Sequence, residues 1–141
     1  RGGRVLPGGC AIGPEAGRDG RNRVRGPFNG SVPAQRAAAA ALEDRAHLDA
    51  NFAHNEKWRD WLTAELRKLG FQVDDSVGNF ILIHFDTPQR AIAADEYLAQ
   101  RGLILRGVGS YGLPEYLRLT IGPDDANRAV VAALAEFAKT K

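Results

Sequence analysis

The sequence predicts an α+β fold, with helices packed on a small, largely antiparallel sheet. Three observations carry that prediction. Helical spacing of apolar residues runs through 31–69 and returns at 88–100 and 123–137. Short apolar or alternating runs at 71–73, 79–85, 103–106 and 116–121 read as strands. In chain order the segments give α–α–β–β–α–β–β–α, the arrangement of an α+β layer. The 141 residues, 44% hydrophobic and 26% charged, suffice for one core of an ordinary globular domain.

Residues 1–30 stand apart. They hold nine of the sixteen glycines, with prolines at 7, 14 and 27. Such a segment loses much conformational entropy on folding and offers little apolar surface in return, so it is expected to be disordered or loosely attached. The first helix signal is Ser31, a good N-cap, with Pro33 tolerated in the first turn. Residues 34–42 are rich in Ala, the best helix former. A second amphipathic stretch sets Trp58, Trp61, Leu62, Leu66 and Leu69 on one face and closes at Gly70. One helix over 33–69 would be unusually long, which predicts a kink or break at 44–50. The tryptophans suit packing better than cofactor stacking.

Strands follow at 71–73 and 79–85. The second is a near-continuous apolar run, the pattern of a central strand covered on both faces. Residues 88–100 form a helix with Ala91, Ala94 and Leu98 inward, ending at Gly102. Leu103-Ile104-Leu105-Arg106 reads as a strand that ends on Arg106. In the next strand, alternation puts Leu117, Leu119 and Ile121 on one face and Arg118 and Thr120 on the other. The last helix opens at Pro123, has Asp124 and Asp125 in its first turn, and carries Val130, Val131, Leu134 and Phe137 as its stripe.

Arg106 and Arg118 are the candidate site. An arginine inside an apolar strand is costly to bury unless an anion meets it. Two of them, joined by the flexible Gly107–Gly112 segment, form a fork for a carboxylate or phosphate. The alternative for each is a local ion pair or solvent. His47, His54 and His84 are read as lying in different elements without metal-ligand spacing, so each is structural or solvent-facing and no metal site is expected. Ser110 and Cys10 have no His–Asp arrangement beside them. The glycines at 107, 109 and 112 do not follow a strand and open a helix, as a dinucleotide-binding loop requires.

Charge is uneven along the chain. Residues 1–36 hold seven Arg against Glu15 and Asp19, a balance of +5, while residues 37–141 hold 12 basic and 15 acidic groups, a balance of −3. A basic head suggests a nucleic-acid arm, yet it has one RGG copy and Phe28 as its sole aromatic, so no nucleic-acid partner is expected. No run approaches the roughly 18 apolar residues of a membrane span, and no membrane partner is expected. The lone Cys10 rules out an internal disulfide and suits a reducing cytoplasm.

The segment RGLILRGVGSYGLPEYLRLTIGPDDANRAVVAALAEF, residues 101–137, resembles the C-terminal end of histidinol-phosphate aminotransferases. These are pyridoxal-phosphate (PLP) enzymes of the aspartate-aminotransferase fold type. In that family a strand ending in Arg is followed by an LR(I/L)T(I/V)G strand and an ENR helix, and Asn127-Arg128 fits the last element. Residues 22–44 and the NFILIHF run at 79–85 extend the resemblance over 22–141.

The resemblance implies that residues 31–141 are the small C-terminal domain of a fold-type I PLP enzyme with its leading long helix, and that residues 1–30 are an aberrant remnant of the large domain. It implies a cytoplasmic homodimer of histidine biosynthesis that moves an amino group between histidinol phosphate and 2-oxoglutarate. Arg118 would then pair with the substrate phosphate and, in the other half-reaction, with a glutamate carboxylate, while Arg106 assists. Asn79 would order the domain interface, and residues 25–31 would run near the dimer interface and hinge.

Two departures bear on activity. The family's Schiff-base lysine has no counterpart, since Lys57, Lys68, Lys139 and Lys141 read as lying on polar helix faces or the terminus. No catalytic residue is therefore assigned, and the chain alone is expected to be inactive. In the head, Gly17–Arg21 replaces an apolar helical turn, and Arg4 is the displaced candidate for the arginine that contacts the PLP phosphate. A chain that starts at Arg1 and holds no Met is expected to be a fragment from a truncated or frame-shifted reading frame. Two other readings stay open: a non-catalytic anion-binding or interaction module, and an aminotransferase acting on an aromatic amino acid or threonine phosphate.

Overall fold

The structure, a computed structural model, describes residues 31–139. The expectations for residues 1–30, including the loose head and Arg4, lie outside the described residues, as does Lys141. The chain divides into two compact units between Asp49 and Ala50.

In the first unit, helix α1 (Val32–Glu43) starts where the sequence predicts. The Ser31 hydroxyl accepts from the Ala34 N–H at 3.4 Å, and a proline stands in the first turn. The break predicted at 44–50 falls on Asp44. Its N–H still donates to the Ala40 carbonyl, while its side chain accepts from the His47 N–H at 3.0 Å. Asp44 thus ends α1 and caps the start of α2 (Arg45–Lys68). Among residues 31–49 only Ala34 is buried.

The second unit carries the sheet. Trp58, Leu62 and Leu66 are the buried face of α2. Gly70, at φ +90°, closes that helix: its N–H donates to Arg67 O and the Phe71 N–H to Leu66 O, the paired bonds of a Schellman cap. Then follow β1 (Gln72–Val73), β2 (Phe80–His84), α3 (Pro88–Ala99), β3 (Arg106–Val108), a single 3-10 turn at Gly109–Tyr111, β4 (Leu113–Thr120) and α4 (Asp124–Phe137). The strand order is β1-β2-β4-β3 and every neighbouring pair is antiparallel. The α+β fold and its element order are as predicted.

One face of the sheet meets the helices. Ile81, Ile83, Leu117 and Leu119 pack with Leu62 and Leu66 of α2, Ala91, Ala94 and Leu98 of α3, and Val130, Leu134 and Phe137 of α4. The opposite face is only half-buried among the described residues: Phe80, Leu82, His84, Tyr116 and Arg118 lie there. This corrects the expectation for residues 79–85. β2 is central, but its burial alternates, because apolar Phe80 and Leu82 point away from the helices.

Two strand boundaries differ from the sequence reading. Arg106 begins β3 instead of ending a strand over 103–106. The cause lies upstream: Gly102, at φ +75°, caps α3, and the Leu103 N–H bonds back to Leu98 O, so pairing with β4 starts only at Arg106. β4 runs from Leu113 to Thr120, so Ile121 falls just beyond it, its N–H donating to Asn79 O at 2.9 Å. The three histidines also do not occupy three elements, since His47 and His54 share α2.

Candidate anion-binding site

The register of β3 and β4 decides the geometry. Arg106 pairs with Arg118, and Arg118 pairs in turn with Leu82. Directly opposed residues in an antiparallel pair share a face, so the two arginines stand side by side on the half-buried face. The two candidate arginines are thus neighbours, and the segment that joins their strands is a defined turn rather than a flexible tether. Gly109–Tyr111 make the 3-10 turn, Gly112 takes φ +80°, and the register shifts at Gly107/Val108.

Like charges directly opposed across strands are destabilising, and a carboxylate would be the ordinary remedy. None is supplied among the described residues, whose ion pairs lie at Arg59–Asp60, Arg67–Asp75, Lys68–Glu65, His84–Asp86 and Lys139–Glu136. The Arg118 Nε is buried and meets no acceptor. Its guanidinium stands over the Phe80 ring at 5.1 Å. Arg106 is exposed, donates from Nη2 to the Tyr111 hydroxyl at 3.2 Å, and lies 5.9 Å from that ring's centre. Arg118 is held by a ring and Arg106 by a phenol hydroxyl, with most of their N–H donors uncommitted. A phosphate or carboxylate would meet those donors with charge-assisted hydrogen bonds.

Around the pair, Tyr116 lies two residues from Arg118 on the same face and packs on His84, with ring centres 4.8 Å apart. Desolvation pushes the Tyr116 phenol above its ordinary value, and the carboxylates of Asp74 and Glu115 push it the same way. A cavity of about 400 Å³ opens beside Phe80 and Leu82, walled by the 74–78 loop.

Sequence reasoning missed Phe80, Tyr111 and the role of Asn127. The signal for Phe80 was its alternation with Leu82; its contact with Arg118 needed the β2–β4 register. Asn127 is the one buried polar residue described. Its side chain accepts from the Gly122 N–H at 2.9 Å and donates to the Gly122 carbonyl at 2.7 Å. His54 Nε2 also reaches that carbonyl, at 3.0 Å, which requires the Nε2–H tautomer. This clamp fixes the turn from β4 into α4, and it gives His54 the structural role expected of it. Arg128 stands 5.2 Å from both Trp58 and Trp61, and Trp58 is buried, so the tryptophans do pack. No group of three His, Cys, Asp or Glu among the described residues has metal-site geometry.

The described lysines, Lys57, Lys68 and Lys139, are exposed. Lys68 pairs with Glu65 at the end of α2, Lys139 pairs with Glu136 from just beyond the end of α4, and Lys57 lies over Trp58. No helix among the described residues is long and apolar enough to cross a membrane.

The model of one protein family, aminotransferase class I and II, matches residues 4–134. The chain belongs to that family. Among curated relatives, the histidinol-phosphate aminotransferase of Rhodopseudomonas palustris (strain HaA2) is 54% identical over 131 residues, covering 92% of this chain and 36% of that protein. The enzyme of that name from Nitrobacter hamburgensis is 52% identical over 135 residues, covering 94% of this chain and 37% of that protein. The chain therefore spans a little over a third of the length of these aminotransferases. Among solved structures, a histidinol-phosphate aminotransferase from Sinorhizobium meliloti in complex with pyridoxal-5'-phosphate aligns with a TM-score of 0.77 at 23% identity, over 86% of this chain and 34% of that one. A Burkholderia pseudomallei chain described as an aminotransferase aligns with a TM-score of 0.80 at 28% identity, over 90% of this chain and 38% of that one. The α+β unit is an aminotransferase architecture.

Proposed function

We propose that this chain is the part of a histidinol-phosphate aminotransferase that grips the anionic end of the substrate. The observation that carries the reading is the in-register pair Arg106–Arg118, which no described carboxylate neutralises. The names of the relatives at 52–54% identity support the substrate. Arg118 binds the phosphate of histidinol phosphate and, in the other half-reaction, a carboxylate of glutamate; Arg106 adds a second donor set to the phosphate. Gripping the far end of the substrate fixes its reacting end, so that the Cα–H bond is presented in one orientation. When bound, PLP supplies the electron sink for the amino transfer. Residues 31–141 act as the small domain, and the whole enzyme works as a cytoplasmic homodimer.

The test is a chimera in which residues 22–141 replace the matching segment of the Rhodopseudomonas palustris enzyme. Arg118→Lys keeps the charge and loses the planar fork. A charged hydrogen bond is worth about 1.5–3 kcal/mol, so kcat/KM for histidinol phosphate should fall roughly ten- to a hundredfold, mostly through KM. Arg106→Lys should act in the same direction and more weakly. Intact kinetics with a lowered melting temperature would make Arg118 a structural residue and end the reading.

A further inference from the structure

Each arginine of the fork is held by an aromatic residue rather than by a carboxylate: Arg118 by the ring of Phe80, Arg106 chiefly by the hydroxyl of Tyr111. Phe80 pairs with Thr120, which makes it the diagonal cross-strand neighbour of Arg118, within reach of a long side chain. The Arg118 guanidinium stands 5.1 Å from the Phe80 ring centre, and among the described residues it has no hydrogen bond or ion pair. On the other strand, the 3-10 turn folds Tyr111 back over Arg106. There the hydroxyl bond at 3.2 Å is the closer tie and the ring at 5.9 Å the weaker one. Tyr111 is otherwise exposed, at 67%, so packing does not account for its position.

The choice of partner matters for an anion site. A carboxylate would orient a guanidinium equally well, but it would also neutralise it and occupy the donors that a ligand needs. A ring face attracts the cation through its quadrupole and takes no N–H along the guanidinium edge. The hydroxyl of Tyr111 takes one donor of the five that Arg106 has. Two like charges can then be kept in register with their potential undiminished.

We infer that Phe80 and Tyr111 are positioning residues that shelve Arg118 and Arg106 in a binding-ready geometry, so that replacing the ring or the hydroxyl weakens anion binding without touching the arginines. The inference rests on the anion-grip reading above.

The probe is inorganic phosphate, titrated into the 141-residue chain while the arginine Nε–H signals are followed by NMR. Phe80→Leu keeps apolar bulk and removes the ring, and it should weaken phosphate binding roughly three- to tenfold, whereas Phe80→Tyr should restore it. Tyr111→Phe removes the hydroxyl tie and should cost roughly two- to fivefold with the melting temperature unchanged, the exposed site guarding against a folding artefact. If Arg118→Ala abolishes binding while Phe80→Leu and Tyr111→Phe bind like the parent, the shelving inference is wrong and the grip stands. Equal losses for Phe80→Leu and Phe80→Tyr would also overturn it. If Arg118→Ala leaves phosphate binding unchanged, or the parent chain shows no phosphate-dependent shift at Arg118, the grip itself falls and the inference with it.

Discussion

Single residues do the least replaceable work around the β4–α4 turn. Asn127 satisfies both the N–H and the carbonyl of Gly122 from a buried position. Asn127→Ala would strand the Gly122 N–H and leave the carbonyl to His54 alone, and a buried unsatisfied polar group costs about 1–3 kcal/mol, so the urea midpoint should drop accordingly. His54→Ala removes only the second of two bonds to the Gly122 carbonyl and should cost less. A midpoint unmoved by Asn127→Ala would show that water replaces the clamp. Tyr116 makes a second prediction, with its sign set by its environment. Its folded-state pKa is raised by desolvation and by Asp74 and Glu115. The protonated phenol is therefore favoured by folding. That stabilisation is full below the ordinary phenol value of about 10 and is lost as pH rises through the higher folded value. Denaturation midpoints should fall above pH 10 in the parent chain and fall less in Tyr116→Phe.

At the scale of elements, helices were legible and strand edges were not. Ser31, the Ala91, Ala94 and Leu98 stripe and the Gly70 and Gly102 stops all act as their chemistry predicts, because capping and periodicity are local. Residues 103–106 misled for the complementary reason. Leu105 is buried and looks like a strand residue, but a strand exists only where a partner pairs with it, and although β4 runs on to Thr120, its pairing with β3 begins only at Arg106. The coverage of β2 was misread likewise, since Phe80 and Leu82 are apolar yet face the fork. Gly102 tests the local part of this account. No atom lies within 4 Å of a Cβ built there, so Gly102→Ala meets no clash and loses only the left-handed backbone preference at φ +75°. It should cost about 1–2 kcal/mol in the denaturation midpoint, and Gly102→Asn less. An unchanged midpoint for the alanine variant would show that the α3 stop does not depend on that conformation.

For the molecule as a whole, the candidate site was half legible. Arginines in apolar strands suggested the candidate pair, but only the folded sheet shows that they are direct neighbours and that Phe80 and Tyr111 hold them. What the fork serves depends on chemistry elsewhere. A PLP-forming lysine must be partly desolvated and set beside the ring, and Lys57, Lys68 and Lys139 are instead exposed, one over Trp58 and two in pairs with Glu65 and Glu136. The 141-residue chain alone should therefore form no stoichiometric PLP adduct at one lysine and should move no amino group. Mixing it with PLP, trapping with borohydride and mapping peptides by mass spectrometry checks this. Scattered low-level labelling of surface lysines fits the expectation. A single fully labelled lysine with a matching absorption band would not, and it would move the seat of chemistry into this chain. The same preparation should still bind phosphate through Arg118, which would separate the grip from the chemistry within one family fold.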